Sequence, residues 1–493
     1  AVAVLAHGLF SQTDPVREVL QIDKPMRFLR VHFVRVDGDD RDDLVAVCAT
    51  AGRRELRTWR RRTGAVEFGG VPSIVVLEKD VVAFAFVTAA VGAERALVLF
   101  TPERAVLASV GSDATITYTA LFSHRLVWPA ADPDDCLLLA DCVLDLDGDG
   151  RSDLVVPEPD SARVLLQQAS ESTIAFAAPS SWSLPPRIDR IAGKGKKQLR
   201  APSRLEFRLG GDDDDLAREG GPLVSVRGRT PPIQFADLDG DKRADGFAVR
   251  NETIWWWAQT SKGAFQSEPS SWPLPLPEDR LAVFDPAFDV QMHAIDGDAR
   301  ADLVVTTSAQ RDGAIEVRVD LYRQREGGEP FAKTADSRLR MQSLAGAPQV
   351  LDVDGDGDQD LVTVTLRTDL LTALDGPAAE LDVQCNVFQN VDGRFVLPAM
   401  LTQKLALHPR KARRGGGTFV RAIGSPDGRG SAILVQDGES LQLRPLVPQG
   451  RKLALADPSW RVPTGEQDVP AETVRAGECV IVGEREATVV RWR

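Results

Sequence analysis

Three times along this chain an apolar run opens into a nine-residue loop with carboxylates at positions 1, 3, 5 and 9 and a glycine at position 4. The first holds Asp145, Asp147, Asp149 and Asp153, the second Asp237, Asp239, Asp241 and Asp245, and the third Asp352, Asp354, Asp356 and Asp360. Two further copies keep Asp37, Asp39 and Asp43, and Asp296, Asp298 and Asp302, but carry Arg35 and Ala294 at the first position. Four like charges so close repel one another unless a positive charge sits among them. A hard cation such as Ca2+, which takes six to eight oxygens, meets that need, and glycine permits the sharp turn. The pattern therefore predicts three complete calcium loops and two that lack one ligand. An EF-hand is excluded. It needs an acidic residue at position 12, where the three complete loops have Val156, Ala248 and Thr363, and it needs flanking helices, where β-type runs follow.

The repetition also reports architecture. Asp37, Asp147, Asp239, Asp296 and Asp354 stand 110, 92, 57 and 58 residues apart. The two short intervals set a unit of roughly 57 residues, in the range of four-stranded repeats. The longest interval then hides one cryptic unit within Ser73–Leu97, and the 92-residue interval carries a charged insertion at about 187–228, with Lys194–Lys197 and Asp212–Asp215 as its charge blocks. The lysines lack the spacing of a phosphate-binding loop, and both blocks read as solvated charge.

A second marker keeps the same beat. A Ser-Trp-x-x-Pro mark recurs at Trp182, Trp272 and Trp460, with a looser copy at Trp128, and Trp182 to Trp272 nearly repeats the interval between the neighbouring acidic loops. A degenerate unit follows at Pro426–Val435, and another closes the chain at Glu478–Trp492. Units fall near 37, 85, 147, 239, 296, 354, 427 and 480. Each reads as strand, acidic turn, strand and two more strands, which is the pattern of a β-propeller blade. The expectation is one all-β domain over residues 1–493, an eight-bladed propeller of four antiparallel strands per blade. Seven is the count if the cryptic or the terminal unit is not a blade. The last unit stops a strand short, and Val16–Ile22 offers a spare outer strand to share that blade and close the ring.

The formal charge of −13 argues against nucleic acid or an anionic membrane surface as partner, since both reward a basic face. Three bound divalent cations would offset six of those charges. No apolar run is long enough to insert in a membrane. The five cysteines show no CxxC spacing, so zinc is not expected; Cys136 and Cys142 are either a local disulfide or two thiols. The start at Ala1-Val2-Ala3, without Met, suits a processed secreted protein, and millimolar extracellular calcium suits the loops.

At these loops the chain resembles the FG-GAP/VCBS repeat family, whose best-known members form the integrin α-subunit propeller. The motif Asp-x-Asp-Gly-Asp-Gly-x-x-Asp-Leu is matched at every carboxylate position by the loops at 145–153, 237–245 and 352–360. The resemblance implies that each loop joins the first two strands of a blade and binds calcium, with position 7 (Arg151, Arg243, Asp358) giving its backbone carbonyl. In the middle loop Lys242 replaces the second glycine, which should alter the turn but not the ligand count. The likeness covers most of the chain by periodicity, but only five loops are specific.

Catalytic chemistry is sparse. His32 and His293 each precede an acidic loop and could face one another across the channel mouth; two unrelated packed histidines is the plainer reading. No Ser/His/Asp arrangement, HExxH or Gly-x-Ser-x-Gly occurs. In Trp255–Trp257, alternate indoles face opposite sides of a strand, either packed between blades or offered to a sugar or protein. The favoured function is a non-catalytic, monomeric, extracellular module that binds protein or glycan. The alternative is a carbohydrate-active enzyme of the polysaccharide-lyase type, an activity that some calcium propellers resembling this one have.

Overall fold

In the computed structural model of the chain every described element is a strand, and the sheets form an eight-bladed ring. The described residues are 15–492 apart from 38, 40, 62–66, 69, 89–93, 111–115, 125–136, 141, 159–160, 170–173, 184–203, 209–222, 228–232, 251, 262, 277–287, 299, 312–313, 326–329, 343, 346–347, 367–380, 409–418, 425–430, 451, 465–466, 468 and 471–472.

Blade 1 consists of Arg27–Val34, Asp43–Thr50, Arg53–Trp59 and Ser73–Leu77, each antiparallel to the next. Blade 2 consists of Ala83–Thr88, Arg95–Phe100, Arg104–Val110 and Ile116–Ser123. Blades 3 and 4 repeat the order with Val143–Leu144, Asp153–Pro157, Ser161–Leu165 and Ser180–Ser183, then Gln234–Ala236, Asp245–Arg250, Thr253–Trp257 and Ser270–Pro273. Blade 5 holds Phe288–His293, Asp302–Arg311, Ala314–Tyr322 and Ser337–Gln342. Blade 6 holds Gln349–Leu351, Asp360–Leu366, Leu381–Phe388 and Leu401–Leu407. Blade 7 is Phe419–Gly424, Ser431–Asp437, Ser440–Gln449 and Trp460–Pro463. Blade 8 joins the two ends of the chain: Val16–Gln21 pairs antiparallel with Glu486–Arg491, which pairs with Glu478–Val482. The expected strand sharing is therefore present, with three strands in that blade among the described residues.

Strand alternation explains why the ring closes. Successive side chains leave a strand on opposite faces, so each blade presents one apolar face to each neighbour. In blade 2, Ala83, Ala85 and Val87 pack toward blade 3, while Phe84 and Phe86 pack toward blade 1. The buried apolar residues divide into eight clusters, and each fills one seam between consecutive blades. The cluster of the eighth seam joins Leu20, Val480 and Val489 of blade 8 to Phe28, Leu44 and Trp59 of blade 1. The hydrophobic core is thus a ring of seams rather than one centre, as in a repeat fold that grows by adding units.

Two expectations shift in detail. Ser73–Leu77 is the outer strand of blade 1, and the cryptic unit starts only at Ala83. With no acidic loop to mark the first turn, two apolar strands of adjacent blades read as one run. Within the insertion, Arg204–Arg208 and Leu223–Arg227 form an antiparallel hairpin, while Lys194–Lys197 and Asp212–Asp215 lie outside the described residues, as do Trp128 and Cys136. Cys142 is buried.

Candidate metal centre

Each acidic loop joins the first strand of a blade to the second, and its position-9 aspartate is the first residue of that second strand. Asp43, Asp153, Asp245, Asp302 and Asp360 are all buried, at most 1 % exposed. One carboxylate oxygen accepts the backbone N–H at loop position 2: Val36, Leu146, Leu238, Ile295 and Val353 donate at 2.8–3.1 Å. The other oxygen accepts the N–H two residues past the third strand: Arg61, Gln167, Gln259, Gln324 and Asn390 donate at 2.8–2.9 Å. One carboxylate thus ties the loop to the far end of the blade's third strand. Burial, reinforced by the neighbouring loop carboxylates, outweighs these hydrogen bonds and pushes Asp153, Asp245 and Asp302 up to about 6 and Asp360 up to about 7.

The remaining carboxylates wrap the loop on itself. At position 1, Asp145 accepts from Asp149 and Gly150, Asp237 from Gly240 and Lys242, and Asp352 from Gly355 and Gly357. At position 3, Asp147, Asp239 and Asp354 accept the N–H of position 5. Burial raises the Asp239 and Asp354 carboxyls above their ordinary value. At position 5, Asp149, Asp241 and Asp356 accept the N–H of position 7.

These turns bring carboxylate oxygens together in three places. Oxygens of Asp145, Asp147 and Asp153 lie within 4.8 Å of one another, as do those of Asp237, Asp239 and Asp245, and those of Asp352, Asp354 and Asp356. The three sets fall in the three complete loops. Neither incomplete loop forms such a set among the described residues, and guanidinium groups stand close to both. Arg475 pairs with Asp42 and donates to the Phe33 carbonyl at 2.6 Å, while Arg35 Nε lies 3.7 Å from Asp42. In the other, Arg323 lies 3.8 Å from Asp296, and Arg300 pairs with Asp298 at 2.5 Å. Burial acts to raise Asp298, but the Arg300 hydrogen bonds hold its carboxyl below the usual value.

Position 7 separates the three complete loops. Arg151 pairs with Asp149, and Arg243 with Asp241, so two loops spend a carboxylate on their own arginine. The third has Asp358 there, with no cation of its own. The turn at Lys242 differs from expectation: Lys242 adopts φ 70°, close to Gly150 at 81° and in the left-handed region of Gly357 at 96°, so the turn is kept and the lysine is strained.

Sequence reasoning missed the amides that follow the third strands. Gln259 Nε2 donates to the Leu146 carbonyl at 2.5 Å, and Asn390 Nδ2 to the Ile295 carbonyl at 2.6 Å, each reaching the acidic loop of the preceding blade. The signal is an apolar strand end followed by x-Gln or x-Asn, but its distance from the loop changes with hairpin length.

The tryptophans and histidines singled out in the sequence pack within and between blades. Trp182, Trp272 and Trp460 lie on outer strands and are buried against the next blade. Trp182 stacks on Trp257 with ring centroids 5.1 Å apart, Trp272 meets Tyr322 and Phe331, and Trp460 meets Trp492. Trp255 packs with Trp257 toward blade 3 and Trp256 toward blade 5, so the Trp255–Trp257 run fills two seams. His32 and His293 sit in blades 1 and 5, opposite places in a ring of eight, with no contact between them among the described residues. His32 lies edge-on to Phe84, and burial lowers it to about 4; His293 Nε2 is 3.1 Å from Gln291 Oε1.

An all-β propeller of eight blades, with carboxylate clusters at the first turns of three, is the class these observations define. No protein-family model matches the chain, and no curated protein matches it by sequence. Among solved structures, a lectin of Agrocybe aegerita, described as recognising non-reducing terminal N-acetylglucosamine, aligns over 90 % of this chain and 94 % of its own, at 12 % identity and TM-score 0.38. The rhamnogalacturonan lyase YesX aligns over 85 % and 74 %, at 10 % identity and TM-score 0.37. A Photorhabdus luminescens Tc holotoxin pore aligns over 89 % of this chain and 18 % of its own, at 17 % identity and TM-score 0.32. These likenesses are too distant to carry an argument about what the chain does.

Proposed function

We propose that the protein is a calcium-stabilised, non-catalytic propeller that works outside the cell as a binding module for glycan or protein. The observation that carries the calcium part is the convergence of three carboxylate oxygens within 4.8 Å in each complete loop. The donor set fits a hard cation: all ligands are oxygens, and the positive-φ glycines turn the loop around a common point. A cation there would neutralise carboxylates that the fold already buries, and would hold the first turn of blades 3, 4 and 6. The position-9 aspartates serve the scaffold as well, so a ligand is read elsewhere, on surfaces that do not repeat. An ion that binds the native loops and not the unfolded chain raises the melting temperature. Calcium should therefore raise it and excess chelator should lower it; identical melting in both overturns the metal reading. A glycan and extracellular-protein array, run with and without calcium, tests the binding reading.

A further inference from the structure

The seam between blades 5 and 6 is apolar along only part of its length. Toward one end Leu339 of blade 5 packs with Leu361, Phe388 and Phe395 of blade 6. Beyond Phe388 the same face of blade 6 turns polar. Thr363 stands opposite Asn386, and Thr365 opposite Gln384, in the pairing of the second and third strands; Thr402 stands opposite Asn386 in the fourth. The reverse face of the third strand stays apolar, with Val383, Cys385 and Val387 packed toward blade 7. The polar face borders a cavity of about 320 Å³, whose lining includes Arg340, Thr365, Gln384, Asn386, Leu397 and Thr402.

Burying amides and hydroxyls in a seam costs free energy unless they are hydrogen-bonded. Here the protein satisfies only some of them. Gln384 Nε2 donates to Asn386 Oδ1 at 2.8 Å, and Thr365 Oγ1 to the Gln384 carbonyl at 3.2 Å. Asn386 is 4 % exposed as a whole residue, but its Nδ2 and Gln384 Oε1 are not sealed from solvent, and beyond the bond just given neither atom is hydrogen-bonded among the described residues, which leaves both open to the cavity. Arg340 stands at the rim with its side chain 48 % exposed and only a 3.9 Å approach to Glu316. Among the described residues no carboxylate lines the cavity. The rim also carries Leu397, 70 % exposed, followed by Pro398.

We infer that this cavity is a binding site for a single acidic sugar unit, a hexuronate or its like. The inference rests on the binding-module reading and names its ligand class. Asn386 Nδ2 and Gln384 Oε1 supply one donor and one acceptor for ring hydroxyls. Thr402 adds a hydroxyl, Arg340 takes the carboxylate in a charge-assisted contact, and Leu397 and Pro398 cover an apolar ring face. The volume is at the lower end of the roughly 300–1,000 Å³ of small-molecule sites, which suits one sugar unit rather than a chain buried along its length.

The test is titration of the calcium-loaded protein with galacturonate and with galactose, followed by saturation-transfer NMR and calorimetry. Galacturonate should bind, and galactose about tenfold more weakly or not at all. Arg340→Met, at an exposed rim, should weaken galacturonate about tenfold and bring the two sugars level, and Asn386→Leu should remove both. Neither variant should change the chelator-induced fall in melting temperature, so loss of sugar binding and loss of the metal effect are read separately. No binding of galacturonate, equal affinity for both sugars in the unsubstituted protein, or affinity unchanged in both variants overturns the inference.

Discussion

The indole of Trp182 lies so close over Gly246 that a Cβ there would sit 2.3 Å from the ring. Trp182 belongs to the outer strand of blade 3 and Gly246 to the second strand of blade 4, so the contact sets how near two blades stand. The same ring stacks on Trp257 at 10° and meets Phe265 edge-on at 4.7 Å. Gly246→Ala should cost about 1–3 kcal/mol through overpacking, measured as the shift in urea midpoint. Adding Trp182→Leu should make the alanine nearly neutral against that background. A cost that persists would place the strain elsewhere.

Lys242 holds a left-handed φ that glycine takes at the same point of the other two complete loops. Relief of that strain, less the greater freedom glycine gives the unfolded chain, leaves a small gain. Lys242→Gly should stabilise the protein by about 0.5–1 kcal/mol in thermal melting, and a melting temperature that falls contradicts it.

The five acidic loops were legible in the sequence because both their chemistry and their spacing are local. From them followed the repeat, the all-β class and eight blades; the closing strand, expected over Val16–Ile22, lies at Val16–Gln21. What stayed hidden depends on pairing between distant segments. The edge of the cryptic blade blurred because Ser73–Leu77 and Ala83–Thr88 are both apolar strands with no marker between them. The position-9 aspartates read as ligands, but their hydrogen bonds to Gln167, Gln259 and Asn390 span variable hairpins and appear only in the folded blade. The polar face of Thr363, Thr365, Gln384 and Asn386 exists only once strand register is known.

The residue at position 7 should rank the loops by affinity. Arg151 and Arg243 already sit on a carboxylate that a cation would use, whereas Asp358 adds one. Calcium titration by calorimetry should give the loop at 352–360 the tightest site. Asp354→Asn should then remove more of the calcium-induced rise in melting temperature than Asp147→Asn. Arg151→Ala should tighten its own loop several-fold, and Asp358→Arg should weaken the tight one by a similar factor. Unchanged affinity in both substitutions would mean the guanidinium moves aside at no cost.

His32 gives a pH dependence with a definite sign. Burial against Phe84, with Arg30 nearby, lowers its folded value to about 4 from an ordinary 6.5, so the unfolded chain binds the proton first. Stability tied to this group is full above about pH 6.5 and is lost as pH falls toward 4. His32→Phe keeps a ring in the same place and removes that loss. The gap between variant and parent should widen from pH 7 to pH 4, reaching on the order of 3 kcal/mol. A gap that is flat across this range would mean His32 titrates normally in the fold.

The two chain ends are locked to blade 1 through charge as well as by strand pairing. Glu478 accepts two hydrogen bonds from Arg61, at 2.7 and 2.9 Å, and one from Arg491 at 3.3 Å; Arg491 in turn donates to Glu18 at 2.9 Å. Glu18 also accepts the N–H of Phe68, whose ring lies under both guanidiniums. The Arg491 side chain is only 6 % exposed and that of Arg61 14 %, so removing the shared carboxylate leaves Arg61 poorly hydrated and without this ion pair, while Arg491 keeps Glu18. Breaking such a pair from one side costs more than the pair contributes, because the remaining charge stays buried. Glu478→Gln should lower stability by about 2–3 kcal/mol in urea unfolding. Glu18→Gln should cost less, since its partner Arg491 keeps Glu478. The double variant should depart from the sum of the two, because the four side chains form one network. Strict additivity would mean that Val16–Gln21 and Glu478–Val482 are held to blade 1 independently.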